Sequence, residues 1–174
     1  KGGFPARYGG RASSVIDMRM KEGNMKGYNV EGSLGLIASR LMVEGPIKKD
    51  KAAFSFSARR TYLDVLYRPF LKAIENADAG YFFHDFNAKI QYKINEKHHI
   101  YLSGYFGLDR VFANFESDTY TDGQQNKYNN ETKSRLQWGN SIGSFRWNYR
   151  MRPKLFLNTT ATFSKYHFNI GMED

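Results

Sequence analysis

The sequence predicts an all-β fold, namely an antiparallel transmembrane β-barrel segment of about seven strands. Apolar and polar side chains alternate at every second position over long runs, and short polar connections alternate with long ones. The alternating segments are themselves long, at residues 81–95, 98–112, 134–150 and 154–170. Strands of water-soluble proteins usually have about 5–6 residues, whereas a barrel strand uses about 9–11 to cross a bilayer and extends beyond it.

The alternation is clearest between residues 98 and 112. Ile100 and Leu102 fall on one side of an extended chain, and Tyr101 and Ser103 fall on the other. Because successive side chains of a strand point to opposite faces, this strand has one apolar and one polar face. Similar runs occur at residues 54–59, 86–94, 144–150 and 155–164. The sequence therefore predicts a sheet with one face toward lipid and one toward a polar lumen.

The connections between these strands fall into two classes. Short polar connections lie near residues 48–51, 95–98 and 150–153, and long ones span residues 62–80 and 113–133. Bacterial outer-membrane barrels have short turns at one end and long loops at the other. The pattern therefore fits one arc of such a barrel.

The first long connection is predicted to contain a helix. Four apolar residues recur there near helical spacing, namely Leu63, Leu66, Phe70 and Ile74. Thr61 and Asp64 resemble a capping box at the start of this helix, and Pro69 is expected to kink or restart it.

Composition excludes several classes of protein. Aromatic residues make up 16% of the chain, too many for a disordered protein, and the absence of cysteine excludes a disulfide scaffold. No apolar run exceeds three residues, which excludes a transmembrane helix. The net charge of +9 is concentrated in residues 1–60, where 12 Lys and Arg stand against 5 Asp and Glu. This excess suits nucleic acid, anionic lipid or a partner that carries acidic groups.

The first 25 residues differ from the rest of the chain. They are rich in glycine and basic side chains, and residues 13–21 alternate as a short strand. Residues 2–11 (GGFPARYGGR) and 13–19 (SSVIDMR) resemble the end of the plug domain of TonB-dependent outer-membrane receptors of the Bacteroidetes type.

The resemblance continues into the first barrel strands of these receptors. It is carried by residues 32–35 (GSLG), 43–47 (VEGPI) and 57–64 (SARRTYLD), while residues 65–174 match through the strand pattern alone. The resemblance implies that residues 1–25 end a plug domain and that residues 26–174 form the N-terminal part of a transmembrane β-barrel. Barrels of this family have about 22 strands around the plug.

The resemblance also implies a function and a location. Members of this family bind an extracellular nutrient and import it to the periplasm of a Gram-negative bacterium, using energy relayed by TonB. The implied partners are the TonB-ExbB-ExbD complex, reached through parts of the receptor outside this sequence, outer-membrane lipid with lipopolysaccharide, and a surface lipoprotein. No cofactor is implied.

Two groups of residues are expected to serve this function. The predicted contacts between plug and barrel are Arg7, Arg11, Asp17, Arg19, Glu31 and Glu44, with Lys21 as a further basic partner for the wall carboxylates. The aromatic residues predicted to mark the membrane interfaces are Tyr81, Phe83, Trp138, Trp147 and Tyr149. Arg59 and Arg60 are candidates either for contact with lipopolysaccharide phosphates or for a solvated rim.

Enzymatic and metal-binding roles are not predicted. The sequence has no P-loop, HExxH or GxSxG motif and no pair of carboxylates spaced for acid–base chemistry. His98 and His99 are adjacent in a strand and point to opposite faces, so they cannot bind one metal ion together.

Two alternatives to the receptor remain. The first is a complete small outer-membrane barrel of about eight strands with an adhesion or structural role. The second is a basic β protein that binds nucleic acid by stacking and phosphate contacts. That second alternative requires aromatic and basic residues on one face. The aromatics here mostly lie opposite the basic positions, so nucleic acid is not predicted as a partner.

Overall fold

The computed structural model describes residues 19–75, 77–116, 120–121, 127–128 and 131–173. These ranges contain one helix and nine strands: β1 (Asn29–Leu34), β2 (Ala38–Lys48), β3 (Ala52–Thr61), α1 (Leu63–Glu75), β4 (Ala77–Lys93), β5 (His98–Glu116), β6 (Tyr120–Thr121), β7 (Lys127–Tyr128), β8 (Glu131–Arg152) and β9 (Leu155–Glu173).

Seven of these strands form one antiparallel sheet, in the order β1-β2-β3-β4-β5-β8-β9, and β6 pairs with β7 separately. The strands of the large sheet pair in the order in which they occur along the chain, with the separate pair β6 and β7 between β5 and β8, which confirms the predicted up-and-down meander. The sheet is open, and β1 and β9 form its two edges.

The strands are longer than the sequence predicts. Strands β4, β5, β8 and β9 have 17, 19, 22 and 19 residues. Both β5 and β8 extend into the region assigned to the second long connection, which shrinks from residues 113–133 to residues 117–130. Their lengths exceed the roughly 5–6 residues of most strands in soluble proteins.

Short turns join the strands at one end of the sheet, as predicted. The side-chain oxygen of Asn95 accepts hydrogen bonds from the backbone N–H groups of Lys97 and His98 at 2.9 and 3.0 Å. Asp50 adopts a positive φ of 58° in the turn between β2 and β3. Asn and Asp suit such turns because their short side chains bond nearby backbone groups and tolerate the left-handed region.

Helix α1 follows β3 as predicted, but its N-terminus is built differently. The Tyr62 carbonyl accepts the N–H groups of Val65 and Leu66 at 3.1 and 3.3 Å. The Thr61 hydroxyl instead accepts the N–H of Phe83 on β4 at 2.9 Å. The predicted capping box is therefore wrong, because a neighbouring strand engages the hydroxyl group. Pro69 lies inside the helix without ending it.

The helix is fixed to β4 near the long-loop end of the sheet. Arg68 donates hydrogen bonds from Nε and Nη2 to the two carboxylate oxygens of Asp78 at 2.6 and 2.7 Å. The hydrogen bonds to the Asp78 carboxylate raise the pKa of Arg68 above its ordinary value. The pair ties the loop helix to the strand that follows it.

The register divides the sheet into two faces, because residues paired directly across antiparallel strands share a face. Leu102 pairs with Ile90 and Phe145, whereas Ser103 pairs with Lys89 and Ser144. We call the first side the apolar face; it carries Phe56, Phe86, Ala88, Ile90, Leu102, Phe106, Phe145 and Phe163. The second side is the polar face; it carries Glu44, Ser55, Asp85, Lys89, Gln91, Ser103, Arg146 and Thr162.

Burial on the two faces is the reverse of that in a soluble protein. On the apolar face, Leu102 is 55% exposed and Phe163 is 67% exposed. On the polar face, Glu44 is 4% exposed and Lys89 is 7% exposed. Within the described ranges, no large side chain is fully buried. The apolar face therefore has no cover in this part of the chain, while part of the polar face is covered.

Residues 19–25 provide that cover. They have no regular secondary structure. The strand predicted at residues 13–21 is therefore wrong for residues 19–21, while residues 13–18 lie outside the described part of the chain. We call residues 19–25 the docked segment.

Candidate functional site

The docked segment approaches the sheet most closely at Gly23. This glycine is buried, and a Cβ atom built on it would lie 2.2 Å from the backbone oxygen of Phe54. The Gly23 carbonyl accepts a hydrogen bond of 2.6 Å from Nε2 of Gln91, which is also buried. Because the obstructing atoms belong to the backbone of β3, only a glycine fits at this position.

Glu22 lies between two cations of the sheet. Its Oε1 is 3.3 Å from Lys89 Nζ and 3.4 Å from Arg146 Nη2. Lys89 Nζ also donates to the Met20 carbonyl at 3.1 Å. The Lys89 side chain is 8% exposed, so its charge is balanced mainly by Glu22 rather than by water.

The Tyr101 ring packs against both cations of the same cluster. The guanidinium carbon of Arg146 lies 4.2 Å from the centroid of the Tyr101 ring, and Lys89 Nζ lies 5.3 Å from it. Both distances fall within the range of cation–π attraction. Strands β4, β5 and β8 thus each contribute one side chain to the site that receives Glu22.

A second ion pair joins the docked segment to β2. Lys21 Nζ lies 2.9 Å from Glu44 Oε1, so one of the predicted pairs between a basic residue near the N-terminus and a carboxylate of the sheet is present. Asn29 Nδ2 donates to the same oxygen at 3.5 Å. Within the described residues, Glu44 Oε2 is buried without a hydrogen-bond partner. Glu31 instead accepts a hydrogen bond from Asn29 at 2.8 Å.

The remaining predicted contacts of residues 1–25 have different outcomes. Arg7, Arg11 and Asp17 lie outside the described residues. Arg19 is exposed and lines a cavity of 820 Å³ between the docked segment and the polar face of β5, β8 and β9. Sequence reasoning missed Glu22, Lys89 and Arg146. The signal in the sequence was an acidic residue in the N-terminal segment and basic residues at polar positions of two strands.

The predicted interfacial aromatics divide between the two faces. Trp147 and Tyr149 lie on the apolar face near the short turns, with ring centroids 5.7 Å apart and planes 3° from parallel. His98 stacks on Tyr149 at 4.2 Å and accepts a hydrogen bond from Trp147 Nε1 at 3.2 Å. This cluster of His98, Trp147 and Tyr149 forms one aromatic end of the apolar face.

Tyr81, Phe83 and Trp138 instead lie on the polar face near the long loops. Tyr81 donates a hydrogen bond to Asp109 at 2.7 Å. These three residues therefore lie on the opposite face from Trp147 and Tyr149, so the five predicted interfacial aromatics do not share one face. At the long-loop end, the aromatic side chain on the apolar face is Phe82. Its ring centroid lies 5.4 and 5.6 Å from the guanidinium carbons of Arg60 and Arg110.

Arg59 and Arg60, predicted together as a basic pair, have separate surroundings. Arg59 lies on the polar face, where its Nε is 2.8 Å from Asp85 Oδ2. Arg60 lies on the apolar face beside Phe82. Only Arg60 is thus placed to contact what covers the apolar face.

Metal-ligand clusters and membrane-spanning helices are absent from the described ranges. No group of three or more His, Asp or Glu side chains there is arranged to hold a metal ion. The helix in those ranges lacks the length and hydropathy needed to span a membrane.

Comparisons with protein-family models, with curated proteins and with solved structures gave no match for this chain.

Proposed function

We propose that this chain is part of a TonB-dependent outer-membrane transporter. In this proposal, the seven-stranded sheet is one arc of a larger barrel, and the docked segment is the end of the plug inside it. The transporter binds an extracellular nutrient and imports it to the periplasm of a Gram-negative bacterium. The supporting observation is the reversed burial: exposed apolar residues on one face and buried, paired charges on the other.

The dimensions of the apolar face fit a bilayer. On β4 this face extends from Tyr92 to Phe82, ten residues or about 33 Å along the strand. With a strand tilt of about 35–45°, this length spans about 23–27 Å of membrane thickness, close to the apolar band of about 25 Å in outer-membrane barrels. The band ends at aromatic residues near the short turns and at the two arginines beside Phe82 near the long loops.

The open sheet supports a barrel with further strands. Strand β9 has 19 residues, and its outer edge is unpaired within the described chain. Side chains of β9 on the apolar face are also exposed, including Leu157 at 43% and Phe163 at 67%. An edge of this length and composition associates with another strand unless it is covered. We infer that further strands of the same barrel pair with it.

The docked segment supports the assignment to a plugged barrel. A plug must be held inside the lumen by contacts that break during transport, and partly exposed ion pairs suit this requirement because water stabilises their separated charges. Lys21 is 55% exposed and Glu22 is 47% exposed, whereas Glu44 and Lys89, their partners on β2 and β4, are buried. The charges on the segment are therefore accessible to water before the segment leaves the sheet.

The full-length protein provides a direct test of this function. We expect it to fractionate with the outer membrane, to resist unfolding in detergent until heated, and to bind the purified periplasmic domain of TonB. A protein that is folded in the outer membrane but does not bind TonB would support the small-barrel alternative. A protein that is monomeric in buffer without detergent would contradict both.

A further inference from the structure

We propose that the polar face carries a binding site for an organic ammonium ion with an apolar body, centred on Asp109 of β5. The site lies near the long loops, whereas the docked segment contacts the half of this face near the short turns. Binding depends on the sheet alone, whereas import of the bound ligand rests on the proposed function.

Aromatic residues flank Asp109 on both neighbouring strands. Phe83 on β4 and Trp138 on β8 pair directly with Asp109, and Phe168 on β9 pairs with Trp138. Because neighbouring strands are about 4.8 Å apart, a cation held at Asp109 would lie about 5 Å from each flanking strand. Aromatic rings attract cations within roughly 6 Å of their centroids, so both rings are placed to contribute.

Two tyrosines lie beside the same carboxylate. Tyr81 donates its hydroxyl hydrogen to Asp109 Oδ1 at 2.7 Å, which holds the carboxylate in place. The Tyr105 ring lies across Gly107, because a Cβ atom built on this glycine would collide with the Tyr105 hydroxyl group. Since Gly107 lies between Tyr105 and Asp109 along the polar face of β5, this ring extends toward Asp109. The carboxylate is therefore positioned among four aromatic side chains.

The charge of Asp109 has no counter-charge beside it. In the part of the chain that the structure describes, no basic side chain lies within 4.0 Å of this carboxylate. Asp85 on the same face is instead paired with Arg59 at 2.8 Å. The rows that begin at Tyr81 and Asp85 contain no lysine or arginine on β4, β5, β8 or β9. This surface therefore favours a cation, although the chain has a net charge of +9.

The chemistry of the site favours an organic cation over a metal ion. One carboxylate supplies too few oxygen ligands for calcium or magnesium, which take about six or more. An ammonium group needs only a carboxylate that accepts its N–H donors and aromatic rings that attract its charge. The adjacent row toward the long loops contains Val111, Leu136 and Ile170. These apolar side chains provide a surface for the body of the ligand.

The test compares phenethylamine, which is protonated at neutral pH, with phenethyl alcohol, its neutral analogue of the same size. Binding to the full-length protein in detergent is measured by ligand-observed NMR, with detergent alone as the blank. We expect the amine to bind at least about tenfold more tightly. Asp109→Asn keeps the side-chain size and an acceptor for Tyr81, and it is expected to remove this preference. Trp138→Leu is expected to lower the affinity for the amine about two- to fivefold.

Two matched controls are available. Asp50→Asn removes one carboxylate at the opposite end of the sheet, where asparagine also tolerates the positive φ of 58°. Trp147→Leu removes the other tryptophan of this chain, which lies on the apolar face. Both controls are expected to bind phenethylamine as the unchanged protein does. Resistance to unfolding in detergent until heated verifies that each variant is folded.

The outcomes separate the binding site from the transporter. Equal affinity of the unchanged protein for the amine and the alcohol would overturn the site, as would an unchanged preference in Asp109→Asn. An equal loss in Asp50→Asn would also overturn it, because it would indicate diffuse attraction. None of these results would contradict a transporter that binds TonB. Amine binding that depends on Asp109, in a protein that does not bind TonB, would support the site and contradict its role in import.

Discussion

Phe106→Arg is expected to destabilise the folded protein in lipid by about 2–4 kcal/mol, because it places a charge at the middle of the lipid-facing band. Phe106 lies between Phe86 on β4 and Ser141 on β8, and its side chain is 42% exposed on the apolar face. The measurement is urea unfolding of the full-length protein refolded into phospholipid vesicles, followed by its circular dichroism.

The adjacent aromatic residue provides the control. Tyr105 lies on the polar face, between Asn87 and Ile142, so Tyr105→Arg introduces the same charge one position away but toward the lumen. We expect this variant to lower the free energy of unfolding by less than Phe106→Arg does, because an arginine on the polar face is not placed in lipid. Equal stability of the two variants would contradict the assignment of the apolar face to lipid.

Gly23→Val is expected to release the docked segment from the polar face. The added Cβ would lie 2.2 Å from the Phe54 oxygen and 2.5 Å from the Phe54 carbonyl carbon, and a backbone in the middle of a sheet cannot move away locally. Release frees the backbone around Lys21 and Lys26, which a protease must bind in extended form, and removes the partner of the Lys89 ammonium group. The expected result is a many-fold faster tryptic cleavage in this segment, measured on the folded full-length protein by mass spectrometry.

Gly27→Val is the matched control for this substitution. Gly27 lies four residues along the chain, and a Cβ atom there would have no neighbour within 4 Å. We expect its cleavage rate to equal that of the unchanged protein. If Gly23→Val also left the rate unchanged while the barrel remained folded, the segment would not be held by the contacts described for it.

Much of the fold was predictable because it follows from local patterns. The period-two alternation of residues such as Ile100, Tyr101 and Leu102 identifies a strand and its two faces without any knowledge of its neighbours. Polar turn residues such as Asn95 indicate where a strand reverses. The consecutive strand order then follows, because neighbouring strands joined by short turns pair with each other.

The aromatic girdle was only partly predictable, because the polarity of the two faces changes along the strands. Near the short turns, Ile90 and Tyr92 lie on the apolar face, but near the long loops this face carries Arg110 and Gln137. From the sequence alone, consecutive aromatic residues such as Phe82 and Phe83 can be assigned to either face. Their assignment depends on the register with β5, which is a non-local property.

The contacts of the docked segment were the least predictable part of the site. Gln91 and the Gly23 carbonyl are separated by 68 positions, and Arg146 and Glu22 by 124. Opposite charges allow such pairs, but many other pairings satisfy the same charges. The Thr61 hydroxyl illustrates the same difficulty at short range, since the sequence offers it a helix cap while the fold offers it β4.

Site-directed spin labelling along β5 tests whether the apolar face contacts lipid, since the chain has no cysteine of its own. Single cysteines are introduced at positions 100–108 of the full-length protein, any other cysteine is replaced, and the labelled protein is placed in lipid vesicles. Each spin label reports its access to oxygen, which concentrates in lipid, and to a water-soluble nickel complex. A lipid-facing sheet predicts that oxygen access alternates with a period of two residues, with Ile100, Leu102 and Phe106 accessible to oxygen and Tyr101 and Ser103 not. If Leu102 and Phe106 were inaccessible to both reagents, they would lie in a dry protein core, and the claim of a lipid-facing sheet would be contradicted.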